Sequence, residues 1–301
     1  MTVVFLWYNL FGEFMKKVLN NVILESENNI SYFNDVVSYI NDNDNRILNF
    51  FRLKKLSNKI NIRIVGFNEF KEYIISKYGE YHDYVRADTD KKTNTIMILT
   101  LKDQIKYTKH KDIKLSSFLK LILHEFVHAC NDEINSDYNQ TIWFNEGIAT
   151  NLSNQNYDIA DLSNCDFESL KNNFNGNYKY AYTIVNYIIN NYSSDEIYKL
   201  VSDSNYLRKR SNEIFNEVCK NLKINSLLLN LSKIHTTKLG EKRIKRNLNI
   251  DEDVIIYCKN KLLKSNCMIY KNGKNWYCEI DNIIFTINSH SYTIITAHLL
   301  K

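Results

Sequence analysis

The segment His124-Glu125-Phe126-Val127-His128, with Glu146 following it, constrains this chain more than any other feature. On a helix, residues four apart differ in direction by about 40°, so the His124 and His128 imidazoles leave one face a turn apart. Two imidazoles at that spacing converge on one metal ion without loop strain. Glu125 lies at the edge of the same face, where its carboxylate takes a proton from the attacking water instead of binding the ion. With 7 His in 301 residues, a random chain would show the two His and the Glu at these spacings about one time in a hundred.

The flanks strengthen the pattern. Leu115 to Ala129 reads as a mostly buried helix, with Ser116 or Ser117 available as its N-cap. Polar groups that interrupt an apolar helix are costly unless something partners them, and a zinc ion (Zn2+) is such a partner. The segment Thr141 to Thr150 reads as a second short apolar helix with one carboxylate, Glu146, the natural third ligand. His/His/Glu leaves the fourth tetrahedral position open, as catalytic zinc sites do. A metzincin is excluded, because Asn131 and Ile134 stand where that pattern needs Gly and His.

HEFVH and WFNEGIA together resemble the gluzincin metallopeptidases, the superfamily of thermolysin and the zinc aminopeptidases, over about residues 60 to 200. The resemblance implies His124, His128 and Glu146 as zinc ligands, Glu125 as general base and proton shuttle, and a peptide or protein as substrate. It also implies a small sheet lobe, a zinc helix and a helical lobe. Two positions depart from the pattern: the linker between His128 and Glu146 is slightly short, and Thr150 occupies the place of an Asp that orients a zinc histidine in thermolysin-like enzymes. Asp132, one turn beyond His128, is the candidate substitute.

Hydrolysis of a carbonyl also needs a donor for the developing oxyanion. In gluzincins this is commonly a Tyr or His on a later helix, and Tyr178 to Ile189 reads as such a helix. Tyr180 is the first choice for that role, with Tyr178 and Tyr182 as alternatives. Upstream, Lys59 to Val65 reads as a strand, Phe67 to Lys77 as a helix and Asn94 to Leu101 as a strand. The resemblance implies that Thr95 to Thr100 borders the cleft, with a free edge on which an extended peptide pairs.

Apolar residues 3 to 11 are too few to span a membrane, and no basic segment precedes them; an N-terminal amphipathic helix, or an upstream extension of a chain that starts at Met15, and a cytoplasmic protein are expected. The six Cys contain no C-x-x-C pair and read as free thiols of a reducing compartment. Asn-rich stretches near 41 to 45 and 152 to 157 read as loops.

Charge separates the last quarter from the rest. Residues 231–301 hold 12 Lys+Arg against 6 Asp+Glu, so the whole positive excess of the chain sits there. Asp251 to Lys264 reads as a helix, followed by strands at Cys267 to Tyr270, Asn275 to Ile280, Ile283 to Asn288 and Tyr292 to His298. Asn272-Gly273 is a strong hairpin signal and Asp281-Asn282 a weaker one. Through Ile234 to Gly240, Gly273 to Tyr277 and Tyr292 to His298, this tail is similar to a small bacterial family of uncharacterised function. Its expected topology is also that of barnase-type ribonucleases, a likeness of scaffold alone. His235, Lys242, Arg243, Lys245, Arg246, Lys274, His290 and His298 are the candidates for phosphate contact.

The expected molecule is therefore α+β in two parts. Residues 1–230 form a gluzincin-like zinc peptidase. Residues 231–301 form a small basic domain, a helix with a four-stranded antiparallel sheet, that takes a nucleic-acid or protein partner. The alternative function is nucleic-acid binding or ribonuclease action by the tail, with a regulatory or inactive peptidase domain.

Overall fold

The computed structural model describes residues 7–9, 12–26, 29–162, 165–264 and 267–300. The chain divides into two compact units: Met1–Ala160 with Asn164–Ser211, and Asp161–Ser163 with Asn212–Lys301. Both are α+β.

The first unit opens with β1 (Trp7–Asn9), β2 (Gly12–Val18) and β3 (Val22–Ser26), then α1 (Phe33–Phe50), β4 (Ile60–Val65), α2 (Phe67–Tyr78), β5 (Ala87–Asp90), β6 (Thr95–Leu99) and α3 (Leu101–Tyr107). Six strands form one sheet in the order β1-β2-β3-β4-β6-β5. Pairing is parallel for β3 with β4 and for β4 with β6, and antiparallel elsewhere. The helical part follows: α4 (Leu115–Ile134), α5 (Ile142–Leu152), α6 (Phe167–Asn172), α7 (Tyr178–Asn191), α8 (Ser194–Ser202) and the start of α9 (Ser204–Leu229), most of which, from Asn212 on, belongs to the second unit. No helix among the described residues is long and apolar enough to cross a membrane.

Three expectations fail here for identifiable reasons. Trp7–Asn9 is a strand paired with β2, not part of an amphipathic helix; aromatic residues suit a pleated surface. Residues 3–6, 10 and 11 lie outside the described residues. The Asn-rich stretch at 41 to 45 lies inside α1 and is no loop, because Val36, Ile40, Asp44, Ile47 and Leu48 give that helix a buried face and Asn21 donates to the buried Asp44 carboxylate at 3.3 Å. Thr95–Leu99 is an interior strand: β5 covers the side expected to be free, so Ala87–Asp90 is the edge. Its Ala-Asp-Thr-Asp sequence has too little apolar content to read as a strand.

Helix α4 is held by burial. Phe118, Ile122, Leu123, Phe126 and Cys130 are fully buried, and each large apolar side chain contributes roughly 1.5–3 kcal/mol. The helix starts too early for either Ser to cap it: Lys114 is the N-cap and makes no side-chain cap. It runs to Ile134, which carries His124, His128 and Asp132 on successive turns.

Helix α5 packs against α7 at Gly147, where there is no room for a side chain. A Cβ there would meet Val185 Cγ2 at 2.4 Å and the Ala181 carbonyl oxygen at 2.7 Å. Asn151 bridges the pair, donating to the Gly147 and Tyr182 carbonyls and accepting from Asn186. Gly147→Ala is therefore expected to destabilise the fold by about 1–3 kcal/mol, read as a lowered Tm in thermal unfolding. An unchanged Tm would show that α5 and α7 separate without cost.

In the second unit, α10 (Lys238–Leu248) and α11 (Val254–Leu262) precede β7 (Met268–Asn272), β8 (Asn275–Ile280), β9 (Ile283–Asn288) and β10 (Ile294–Leu299), an antiparallel meander. Trp276, Phe285, Ile287, Ile244 and Cys258 are among its core residues. Both expected hairpins form, the first with Gly273-Lys274 as its loop residues instead of Asn272-Gly273, since Asn272 pairs with Asn275. Gly273 sits in a two-residue loop at φ 56°, and Asp281 and Asn282 both take positive φ, the pairing that matches strand twist. The helix at Lys238–Leu248 adds to the single helix expected in this part. Thr237 caps it through Gly240 N–H, while Gly240 and Ile244 supply its buried side.

Candidate metal centre

The helical phase of α4 and the packing of α5 against it bring three side chains to one point. His128 Nε2 lies 3.1 Å from His124 Nε2, Glu146 Oε2 lies 3.1 Å from His124 Nε2, and Glu146 Oε1 lies 3.5 Å from His128 Nε2. His124 is buried, and His128 and Glu146 are nearly so. Among the described residues, this is the one group of three or more His, Cys, Asp or Glu able to hold a metal ion.

The three donors fit a tetrahedral zinc ion. Bonds of about 2.0–2.2 Å set donor separations near 3.3–3.6 Å, and the observed separations need only small side-chain adjustment. His124 Nε2 lies 3.1 Å from both the Glu146 carboxylate and His128 Nε2, and one ring nitrogen cannot donate to the first and accept from the second at once, so a cation between the three suits the group better than hydrogen bonds alone. The donor set of two imidazoles and a carboxylate with an open position suits a catalytic site.

The electrostatics follow from burial and proximity. Burial works to raise the Glu146 pKa, but the two imidazoles outweigh it and hold the carboxyl far below its usual range. Burial likewise pulls His128 down, while the charge and hydrogen bond of Glu146, with Glu125 and Asp132, bring it up to about 9. A histidine must be neutral to bind a metal, so below that pH the ion displaces a proton. Zinc affinity should accordingly rise about tenfold per pH unit from near 6.5 to 9, then flatten, in a competition titration with a buffered chelator. A flat profile across that window would show that His128 carries no proton there before the metal binds.

Glu125 accepts from Thr89 Oγ1 at 2.7 Å, its one hydrogen bond among the described residues. The edge strand β5 thus fixes the candidate base. Sequence reasoning misses Thr89, because β5 carries no strand signal. Thr150 orients no histidine: its hydroxyl donates to the Glu146 and Gly147 carbonyls. Asp132 accepts from Tyr138 and pairs with Lys91 at 2.8 Å, so it acts on His128 through charge alone. His124 Nδ1 is buried with no hydrogen-bond partner.

Of the three tyrosines, Tyr178 stands at the centre. Its ring centroid is 6.4 Å from that of His124, and burial, then Glu146 and Glu125, push its phenol well above the usual value. Tyr182 is buried beside Tyr157, at 5.7 Å between rings. No hydrogen bond, ion pair or ring contact joins Tyr180 to the His/His/Glu group among the described residues.

The basic residues of the second unit fall into separate places. Lys242, Arg243 and Arg246 lie on α10, and Lys245 pairs there with Glu241 at 3.2 Å. The loop carrying Lys274 meets the loop carrying His290, through Ser289 N–H to the Lys274 carbonyl at 2.8 Å. His235 reaches that same end of the sheet, its Nε2 3.0 Å from Thr293 Oγ1. His298 is exposed farther along β10, opposite Ile284, and is not brought to that end.

No curated protein matches the chain. A family model described as a protein of unknown function (DUF3781) matches residues 228–298, the stretch that resembles an uncharacterised family.

Proposed function

We propose that the first unit is a zinc-dependent hydrolase, and that its substrate is a peptide bond. One observation carries the reading: two imidazoles and a carboxylate converge within 3.5 Å of one another on neighbouring helices, with the Glu125 carboxylate beside them. The peptide as substrate rests on the likeness of HEFVH and WFNEGIA to gluzincins.

His124, His128 and Glu146 would hold the ion, which when bound polarises a carbonyl and acidifies water. Glu125 accepts the proton of the attacking water and returns it to the departing amine. Its bond from Thr89 fixes the carboxylate while leaving the other oxygen for that transfer. Tyr178 keeps its proton far above neutral pH and so serves as the oxyanion donor. The outer side of β5 offers backbone groups to an extended substrate.

Incubation of the zinc-loaded chain with a mixed peptide library, read by mass spectrometry, tests this reading. New termini should appear, vanish with a zinc chelator and return with zinc. Intact peptides with zinc bound would instead favour a peptidase-like fold used for binding. A second reading concerns the other unit, where the α10 cations favour nucleic acid. Affinity of the full chain for RNA or DNA should then fall with salt by a log-log slope of about 0.7 to 0.9 per phosphate contacted; no binding at low salt would reject it.

A further inference from the structure

Six arginines lie in the first unit, and five have partners. Arg46 donates to the Leu152 carbonyl at 2.6 Å, Arg52 pairs with Asp195, Arg63 with Glu69, Arg208 with Asp137 and Arg210 with Glu196. Arg86 is the exception. Its side chain has no ion pair and no hydrogen bond among the described residues, yet it is half-buried. Its backbone is held, the carbonyl accepting from Leu99 N–H at 3.0 Å.

Its position is informative. Arg86 immediately precedes β5, the edge strand whose Thr89 holds Glu125. It stands three positions before Thr89, about 10 Å along the chain at about 3.3 Å per residue. At the other end of β5, Lys91 is neutralised by Asp132 at 2.8 Å and lies 3.4 Å over the Tyr138 ring. The two ends of the strand thus differ: one cation is satisfied and one is not. Burial pulls Arg86 below its ordinary value, and the nearby Tyr157, Tyr178 and Glu125 do not restore it. The guanidinium therefore bears the cost of desolvation with the Glu125 charge near it but no ion pair or hydrogen bond of its own among the described residues.

We propose that Arg86 binds a carboxylate of the substrate, so that the enzyme selects peptides with an acidic group near the scissile bond. The proposal rests on the peptidase reading above. The planar guanidinium suits a carboxylate, which it grips through two parallel hydrogen bonds. That carboxylate has two possible sources, the C-terminus of the substrate and an Asp or Glu side chain.

The test is equilibrium binding, which does not depend on turnover. Short peptides with a reduced, uncleavable amide are titrated into the zinc-loaded full chain in three forms: free C-terminus with Gln, amidated C-terminus with Gln, and amidated C-terminus with Glu. One acidic form should bind about tenfold to a hundredfold more tightly than the neutral form, and which one does so identifies the source. Arg86→Gln should abolish that preference while leaving neutral-peptide affinity and zinc content unchanged, and Arg86→Lys should restore part of it. Equal binding of all three forms by the wild-type chain overturns the proposal, as does an equal loss for all three in Arg86→Gln. Cleavage of the ordinary amide versions is followed in parallel. A carboxylate preference without any cleavage would sink the peptidase reading and leave Arg86 as a carboxylate-binding residue.

Discussion

Glu125→Gln is expected to lower peptide hydrolysis about a hundredfold to ten-thousandfold while zinc remains bound. The amide is nearly the same size and still accepts the Thr89 hydrogen bond, so the local packing survives. It cannot accept the proton of the attacking water. Single-turnover kinetics with metal analysis on the same sample checks this. Loss of zinc together with activity would make Glu125 a structural or ligating group, and full activity would move the base elsewhere.

Tyr178→Phe should lower kcat about a hundredfold to a thousandfold, the usual consequence of removing one oxyanion donor. KM and zinc content should change little, since the ring contacts with His124 and Phe174 remain. Tyr180→Phe serves as the internal comparison and should behave as wild type. The opposite ranking would return the role to Tyr180 and remove the argument from proximity. Equal activity in both variants would place the donor on another group.

The meeting of His124, His128 and Glu146 is legible in the sequence because its geometry is local. Four residues of helix fix His124 against His128, and a buried apolar helix with a lone carboxylate has few uses for Glu146 other than to meet them. The hairpins of the second unit are legible for the same reason, since Gly273 and the Asp281-Asn282 pair take backbone angles few other residues accept. What is not legible depends on contacts distant in sequence. The strand at Ala87–Asp90 is polar and short, and it exists because β6 offers it a partner. Without that strand, neither Thr89 beside Glu125 nor the unpaired Arg86 can be foreseen. The choice between Tyr178 and Tyr180 likewise turns on how α7 packs against α5, set by the missing Cβ of Gly147 and not by any pattern within α7 itself. The Asn-rich middle of α1 passes for a loop because its local propensity is poor, although its burial is good.

In the proposed centre, two turns of one helix and one carboxylate of the next hold a zinc ion. Its most direct measurement is the metal content of the purified full chain by elemental analysis, beside His124→Ala prepared identically. One zinc per wild-type chain and a large loss of zinc from the variant are expected, with far-ultraviolet circular dichroism showing that the variant still folds. Equal zinc in both proteins, or none in a wild-type chain supplied with zinc at a pH of about 8, would contradict that centre.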